Sequence, residues 1–223
     1  MIEKAREGPL HARVEARTVL LGDWSRPVRD PIDLLRISYV AGVPVVWIAR
    51  GDFPLNLAIS AVVVVAVRFL LLPRLYDLAF CLGLGLTGWG DALGLYDRFA
   101  YYDVVVHTLA SFFLAPVLYI LFARAEVLAD LREATTPHHL VGVFVITLAL
   151  GLAVGAVWEI AEFTSDTFLG TNLATSEQDT ATDLMVDGCG AAAGAALLVA
   201  WAVYGWASVR RIPGETRREQ VSA

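Results

Sequence analysis

Long apolar runs and short polar joints alternate along this chain, and the runs set its plan. Six of them stand out, at about residues 34–49, 53–72, 75–95, 103–122, 139–163 and 182–206. A helix rising 1.5 Å per residue needs roughly 20 residues to cross the hydrocarbon of a bilayer. Five of the six meet that length. The first run is the short one, and it holds Gly42 and Pro44. Lipid-embedded helices tolerate such residues where neighbours re-satisfy the backbone. Arg68 lies one turn from the end of the second run and is expected to snorkel outward. The pattern predicts an all-α polytopic membrane bundle of about six transmembrane helices.

The flanks divide the rest. Residues 1–33 scatter Lys, Arg, Glu and Asp among Pro9, Pro27 and Pro31. They read as a cytoplasmic N-terminal leader, either lying on anionic lipid or solvated. No signal peptide is expected, because the apolar V-L-L-G run behind Arg17 is too brief for one. Residues 34–209 form the six-helix transmembrane domain, and 210–223 a basic cytoplasmic tail.

Composition excludes an ordinary soluble domain: 57% of residues are hydrophobic, 18% are charged, and mean hydropathy is +0.61. Cys81 and Cys189 both fall in apolar runs, so neither a disulfide framework nor a thiolate metal site is expected. The net charge of −6 conceals a segregation of signs. With the N-terminus inside, fifteen of the 17 Lys and Arg residues fall on cytoplasmic segments, and only Arg50 and Arg98 lie outside. That excess orients the bundle N-in and C-in. A cell-membrane, multi-pass protein is the expectation.

Between Trp158 and Ala191 the chain carries Glu159, Glu162, Asp166, Glu177, Asp179, Asp183 and Asp187, with no Lys or Arg. The orientation places this acidic stretch outside, at the mouths of the fifth and sixth spans. Asp103 and His107 enter at the same depth on the fourth. Asp103/His107 and Asp183/Asp187 are four apart and Glu159/Glu162 three apart, so each pair shares a helix face. Gly151 and Gly155 precede Glu159, and Gly190, Ala191 and Gly194 follow Asp187. Such small-residue stripes let membrane helices approach closely. Packing the three spans would therefore gather the acids.

Several carboxylates cannot all stay ionised in a low-dielectric pocket. A divalent cation is the economical neutraliser. Imidazole plus carboxylate oxygens suits Mg²⁺, Mn²⁺, Zn²⁺ or Fe²⁺. Asp103, His107, Glu159 and Asp183 are the expected ligands, with Glu162, Asp179 and Asp187 as acid–base groups. Bland readings exist for some of these residues. His107 taken alone is an interhelical hydrogen-bonding histidine, and Asp103 and Asp183 are acids favoured at helix N-termini. Glu159 and Glu162 sit at a C-terminal end, where the dipole disfavours them. Trp89, Tyr96, Phe99, Tyr101, Tyr102, Trp158 and Phe163 read as an interfacial belt. His138 and His139 lie at the far end of the fifth span and carry no catalytic expectation.

The motifs Y-Y-D-V-V-V-H, G-A-V-W-E-I-A-E-F and D-T-A-T-D-L-M-V-D-G-C-G-A resemble those of the uncharacterised YjdF-like bacterial membrane proteins. More remotely they resemble VanZ-like proteins, with D-x-x-x-H, E-x-x-Q and D-x-x-x-N-x-x-G on successive helices. The resemblance covers about residues 75–200 and maps Asp103, His107, Glu159, Glu162, Asp179, Thr180, Asp183, Asp187 and Gly190 onto family positions. Glu162 replaces the VanZ-like Gln and Asp187 its Asn, so this chain is the more acidic. The resemblance implies fold and site more than activity.

The leading expectation is a metal-dependent membrane enzyme acting on a lipid-linked or envelope substrate, with the polar 164–181 stretch as a lid. An ion- or proton-coupled transporter is the alternative, although no inverted repeat is visible. A structural or regulatory membrane subunit is the third. Membrane lipid and a lipid-linked small molecule are the expected partners, and nucleic acid is not. The charge segregation makes topology the first test. A reporter fused after Arg132 should read cytoplasmic and one near Asn172 extracytoplasmic. Both reporters on one side would break the six-span plan.

Overall fold

A computed structural model describes residues 31–69, 72–125, 127–129, 131, 136–170 and 176–204. Most of the leader and all of the basic tail lie outside the described residues. Among those described, the chain is helical without strands. The helices are α1 (Pro31–Arg50), α2 (Leu55–Arg68), α3 (Arg74–Ala92), the single turn α4 (Leu95–Arg98), α5 (Tyr102–Arg124), α6 (Pro137–Leu169) and α7 (Glu177–Tyr204).

Every apolar run became a helix, but the ends moved. Among the described residues, four helices are long and apolar enough to cross a membrane: α1, α5, α6 and α7. The run expected to be weakest is among them, because α1 begins at Pro31 and continues through Pro44. The second run falls short. α2 has 14 residues, closing after Arg68 where Phe69 N–H turns back to the Ala66 carbonyl. α3 stops at Ala92 because Gly94 adopts a left-handed φ of 65°.

The polar 164–181 stretch is a loop only in part. α6 runs on to Leu169, with the hydroxyls of Thr164, Ser165 and Thr167 each bonding the carbonyl four residues back. That back-bonding lets polar residues continue a helix. Gly170 ends it at φ 68°. Ser176 then starts α7 early, its Oγ accepting from Asp179 N–H. Residues 171–175 lie outside the described residues.

The chain forms two compact units, one up to Cys81 and one from Leu82. In the first, α1 and α2 pack together, with Tyr39, Val46, Leu57, Val64 and Tyr76 in the interior. Four charged side chains lie there too. Arg36 donates from Nε to the Val64 carbonyl (2.9 Å), from Nη1 to Asp33 (3.0 Å) and from Nη2 to Asp77. Arg68 donates from Nε and Nη2 to the two oxygens of Asp33, at 3.0 and 3.4 Å. Arg68 is therefore buried instead of snorkelling, because a partner from another helix meets it inside.

Helix polarity favours the arrangement. Asp33 and Asp77 occupy the first turns of α1 and α3, and Arg68 the last turn of α2. Each charge complements the dipole of its own helix. Among the described residues of the first unit, two arginines and two aspartates are buried together, and their formal charges sum to zero.

In the second unit the α5–α7 interface is the most extensive, followed by α6–α7 and α5–α6. The buried positions of α6 form a strict four-residue stripe: Val143, Thr147, Gly151, Gly155 and Glu159. On α7 they are Asp183, Asp187, Gly190, Ala191, Gly194, Ala195 and Leu198. The remainder of α3 joins this unit through the Tyr102 hydroxyl, which donates to the Leu86 carbonyl at 2.8 Å.

Removing Arg36 takes away the guanidinium that faces two buried carboxylates. Breaking a buried ion pair on one side costs about 3–5 kcal/mol. Arg36→Ala should therefore lower the thermal unfolding midpoint in detergent by several degrees. Arg50→Ala, which breaks an exposed pair with Asp52, should hardly move it.

Candidate functional site

Three close approaches fix where α5, α6 and α7 meet, and glycine permits each. A Cβ at Gly190 would overlap the Thr108 carbonyl oxygen on α5, and one at Gly194 the Phe112 carbonyl oxygen. At Gly151, on α6, it would overlap Ala191 and stand 2.9 Å from the Ala115 Cβ. The small-residue stripes expected from the sequence are thus the contact lines of the bundle.

Following these lines toward the start of α7 leads to the ionisable groups. His107 on α5 is buried at their centre. Its Nδ1 lies 3.2 Å from Asp187 Oδ2 on α7. Its Nε2 lies 3.8 Å from Asp103 Oδ1 and 3.8 Å from Glu159 Oε1 on α6. Asp103, His107 and Asp183 each offer a ligand atom within 4.8 Å of the others. Glu159, Asp183 and Asp187 are buried, and Asp103 is half-exposed.

The partners sort these acids. Asp187 Oδ1 accepts a 2.6 Å hydrogen bond from the Ser111 hydroxyl, one turn below His107. Glu159 Oε1 is buried and, among the described residues, has no hydrogen-bond partner. Leaving a buried carboxylate oxygen without a donor is costly.

The structure therefore gathers Asp103, His107, Glu159, Asp183 and Asp187. Glu162 and Asp179 border this group. Glu162 is half-buried and accepts from the Trp158 indole N–H at 2.7 Å. Asp179 is half-buried in the first turn of α7. Sequence reasoning missed Ser111, whose signal was its place four residues after His107 on an apolar helix.

Tyr96 and Tyr102, among the aromatics expected in the belt, are half-buried. Tyr96 packs edge-on against Tyr102, with ring centroids 4.9 Å apart. Burial pushes the Tyr96 phenol pKa up, and Asp103, Tyr102, Asp91 and Glu162 push it the same way. Phe99, Tyr101 and Phe163 are exposed.

With that geometry in place, the chain can be set against known families. A family model described as a predicted membrane protein, DUF2238, matches residues 34–203. The chain belongs to this family. The YjdF-like resemblance accords with it. Neither a curated protein nor a solved structure matches the chain. Family membership and the four apolar helices make this DUF2238 member an integral membrane protein in contact with lipid.

The glycine contacts yield a stability test. Gly190→Ala forces a methyl into the backbone of α5, and overpacking of this kind costs about 1–3 kcal/mol. Gly142 on α6 has open space around its Cβ position. There the better helix propensity of Ala should make Gly142→Ala neutral or slightly stabilising. Melting of both variants in detergent checks the contrast.

Proposed function

We propose that the outer ends of α5, α6 and α7 hold a divalent cation and that this DUF2238 protein uses it as a metal-dependent membrane enzyme. Glu159 carries the reading. A buried carboxylate oxygen without a donor, 3.8 Å from an imidazole nitrogen, suits a cation better than it suits a packed core. The ligands would be Asp103, His107 through Nε2, Glu159 and Asp183. One nitrogen with carboxylate oxygens fits Mg²⁺, Mn²⁺, Zn²⁺ or Fe²⁺.

The chemistry follows from the setting. A bound cation supplies Lewis acidity and lowers the pKa of a bound water. Glu162 would act as the acid–base group at the mouth, with the Trp158 indole holding one of its oxygens. The site would open extracytoplasmically in a six-span, N-in/C-in bundle of a bacterial inner membrane. Its substrate would be a lipid-linked or envelope molecule, cleaved or transferred there. The remote VanZ-like resemblance of the same motifs accords with an envelope role.

Metal content tests this directly. Protein purified without chelators should carry near-stoichiometric metal by elemental analysis, and a chelator should lower its melting temperature. Replacing His107, Glu159 or Asp183 with Ala should each sharply reduce bound metal. Asp91→Ala, His139→Ala and substitutions of Cys81 or Cys189 should leave it unchanged. Wild-type protein that carried no metal and gained no stability from Mg²⁺, Mn²⁺, Zn²⁺ or Fe²⁺ would end the proposal.

A further inference from the structure

We infer that Asp187, gripped by Ser111, is a positioning residue that fixes His107 as a nitrogen ligand. This rests on the cation site proposed above. Asp183 and Asp187 are four apart on one face of α7, yet their surroundings differ. Asp183 belongs to the group whose ligand atoms lie within 4.8 Å of one another, and Asp187 does not. Both oxygens of Asp187 are engaged by α5 instead. Oδ1 accepts from the Ser111 hydroxyl at 2.6 Å, and Oδ2 lies 3.2 Å from His107 Nδ1.

A carboxylate against Nδ1 draws the imidazole proton to that nitrogen. The lone pair is then on Nε2, the nitrogen that faces Asp103 and Glu159. Carboxylate, imidazole and cation in line is how proteins orient histidine ligands and raise their basicity. Ser111 holds the carboxylate in place from the same helix that carries His107. Gly155 makes the room, because a Cβ there would overlap Asp187 Oδ2. Three helices thus contribute to the setting of one ring: α5 through Ser111, α6 through Gly155 and α7 through Asp187.

Co²⁺ titration of the purified full-length protein tests the arrangement, with affinity and the visible spectrum of the bound ion as readouts. Loss of such an outer partner weakens metal binding about 10- to 100-fold. Asp187→Asn, Ser111→Ala and Gly155→Ala should each show a loss of that size, with the coordination number of bound Co²⁺ kept. Ser111→Thr, which retains the hydroxyl, should recover most of the affinity. His107→Ala should abolish binding. If wild type binds Co²⁺ and both Asp187→Asn and Ser111→Ala bind it equally well, the inference is overturned while the cation site stands. A spectrum showing one oxygen donor lost in Asp187→Asn would make Asp187 a ligand and overturn it as well. Wild-type protein that binds no Co²⁺ would overturn the cation site and this inference together.

Discussion

Everything in the second unit depends on how near α7 can come to α5. At Gly190 and Gly194 the helix lies against the carbonyls of Thr108 and Phe112, where any side chain would collide. Hydrophobic burial cannot drive this approach, because lipid tails are as apolar as Leu or Val. Backbone-to-backbone packing supplies the attraction, and it demands residues without side chains. The consequence is chemical as well as mechanical. Two helices held this close bring His107 and Asp187 within 3.2 Å, and α6 adds Glu159 to the same pocket through Gly151 and Gly155.

The two units bury charge by opposite means. In the first, Arg36 and Arg68 meet Asp33 and Asp77, and every guanidinium contact described ends on a carboxylate or a carbonyl. Among the described residues, each of these buried charges meets an opposite one. In the second, four carboxylates surround one imidazole, and Glu159 Oε1 faces no donor among the described residues. The first arrangement ties helix ends together, and the acidic excess of the second is what the proposed cation would neutralise. Both cost desolvation, and among the described residues the second group has an excess of acid over base.

Much of this was legible in the sequence, because apolar length and small-residue spacing are local properties. The six runs mark six helices, and Gly151, Gly155, Gly190 and Gly194 mark the contact lines. What escaped depends on partners far away in the chain. Arg68 looks like a snorkelling residue until Asp33, 35 positions earlier, is placed beside it. Ser111 looks like filler until Asp187 arrives from α7. The 164–181 stretch looks like a loop by polarity, yet Thr164, Ser165 and Thr167 satisfy themselves on the turn behind and let α6 continue. Polarity and helicity are separate properties, and hydropathy reports only the first.

The length of α6 then explains why its two glutamates differ. The buried stripe from Val143 steps by four and reaches Glu159 after four steps. At 3.6 residues per turn, Glu162 lies about 60° around the helix from Glu159. That rotation takes it off the stripe, to where Trp158 can hold it. Beyond this point Phe163 and Phe168 are exposed, so the helix no longer packs along the stripe. One glutamate is thus committed to the interior and the other to its edge by the helical repeat alone. The interior position suits the cation ligand we propose for Glu159, and the edge position the proton exchange we propose for Glu162.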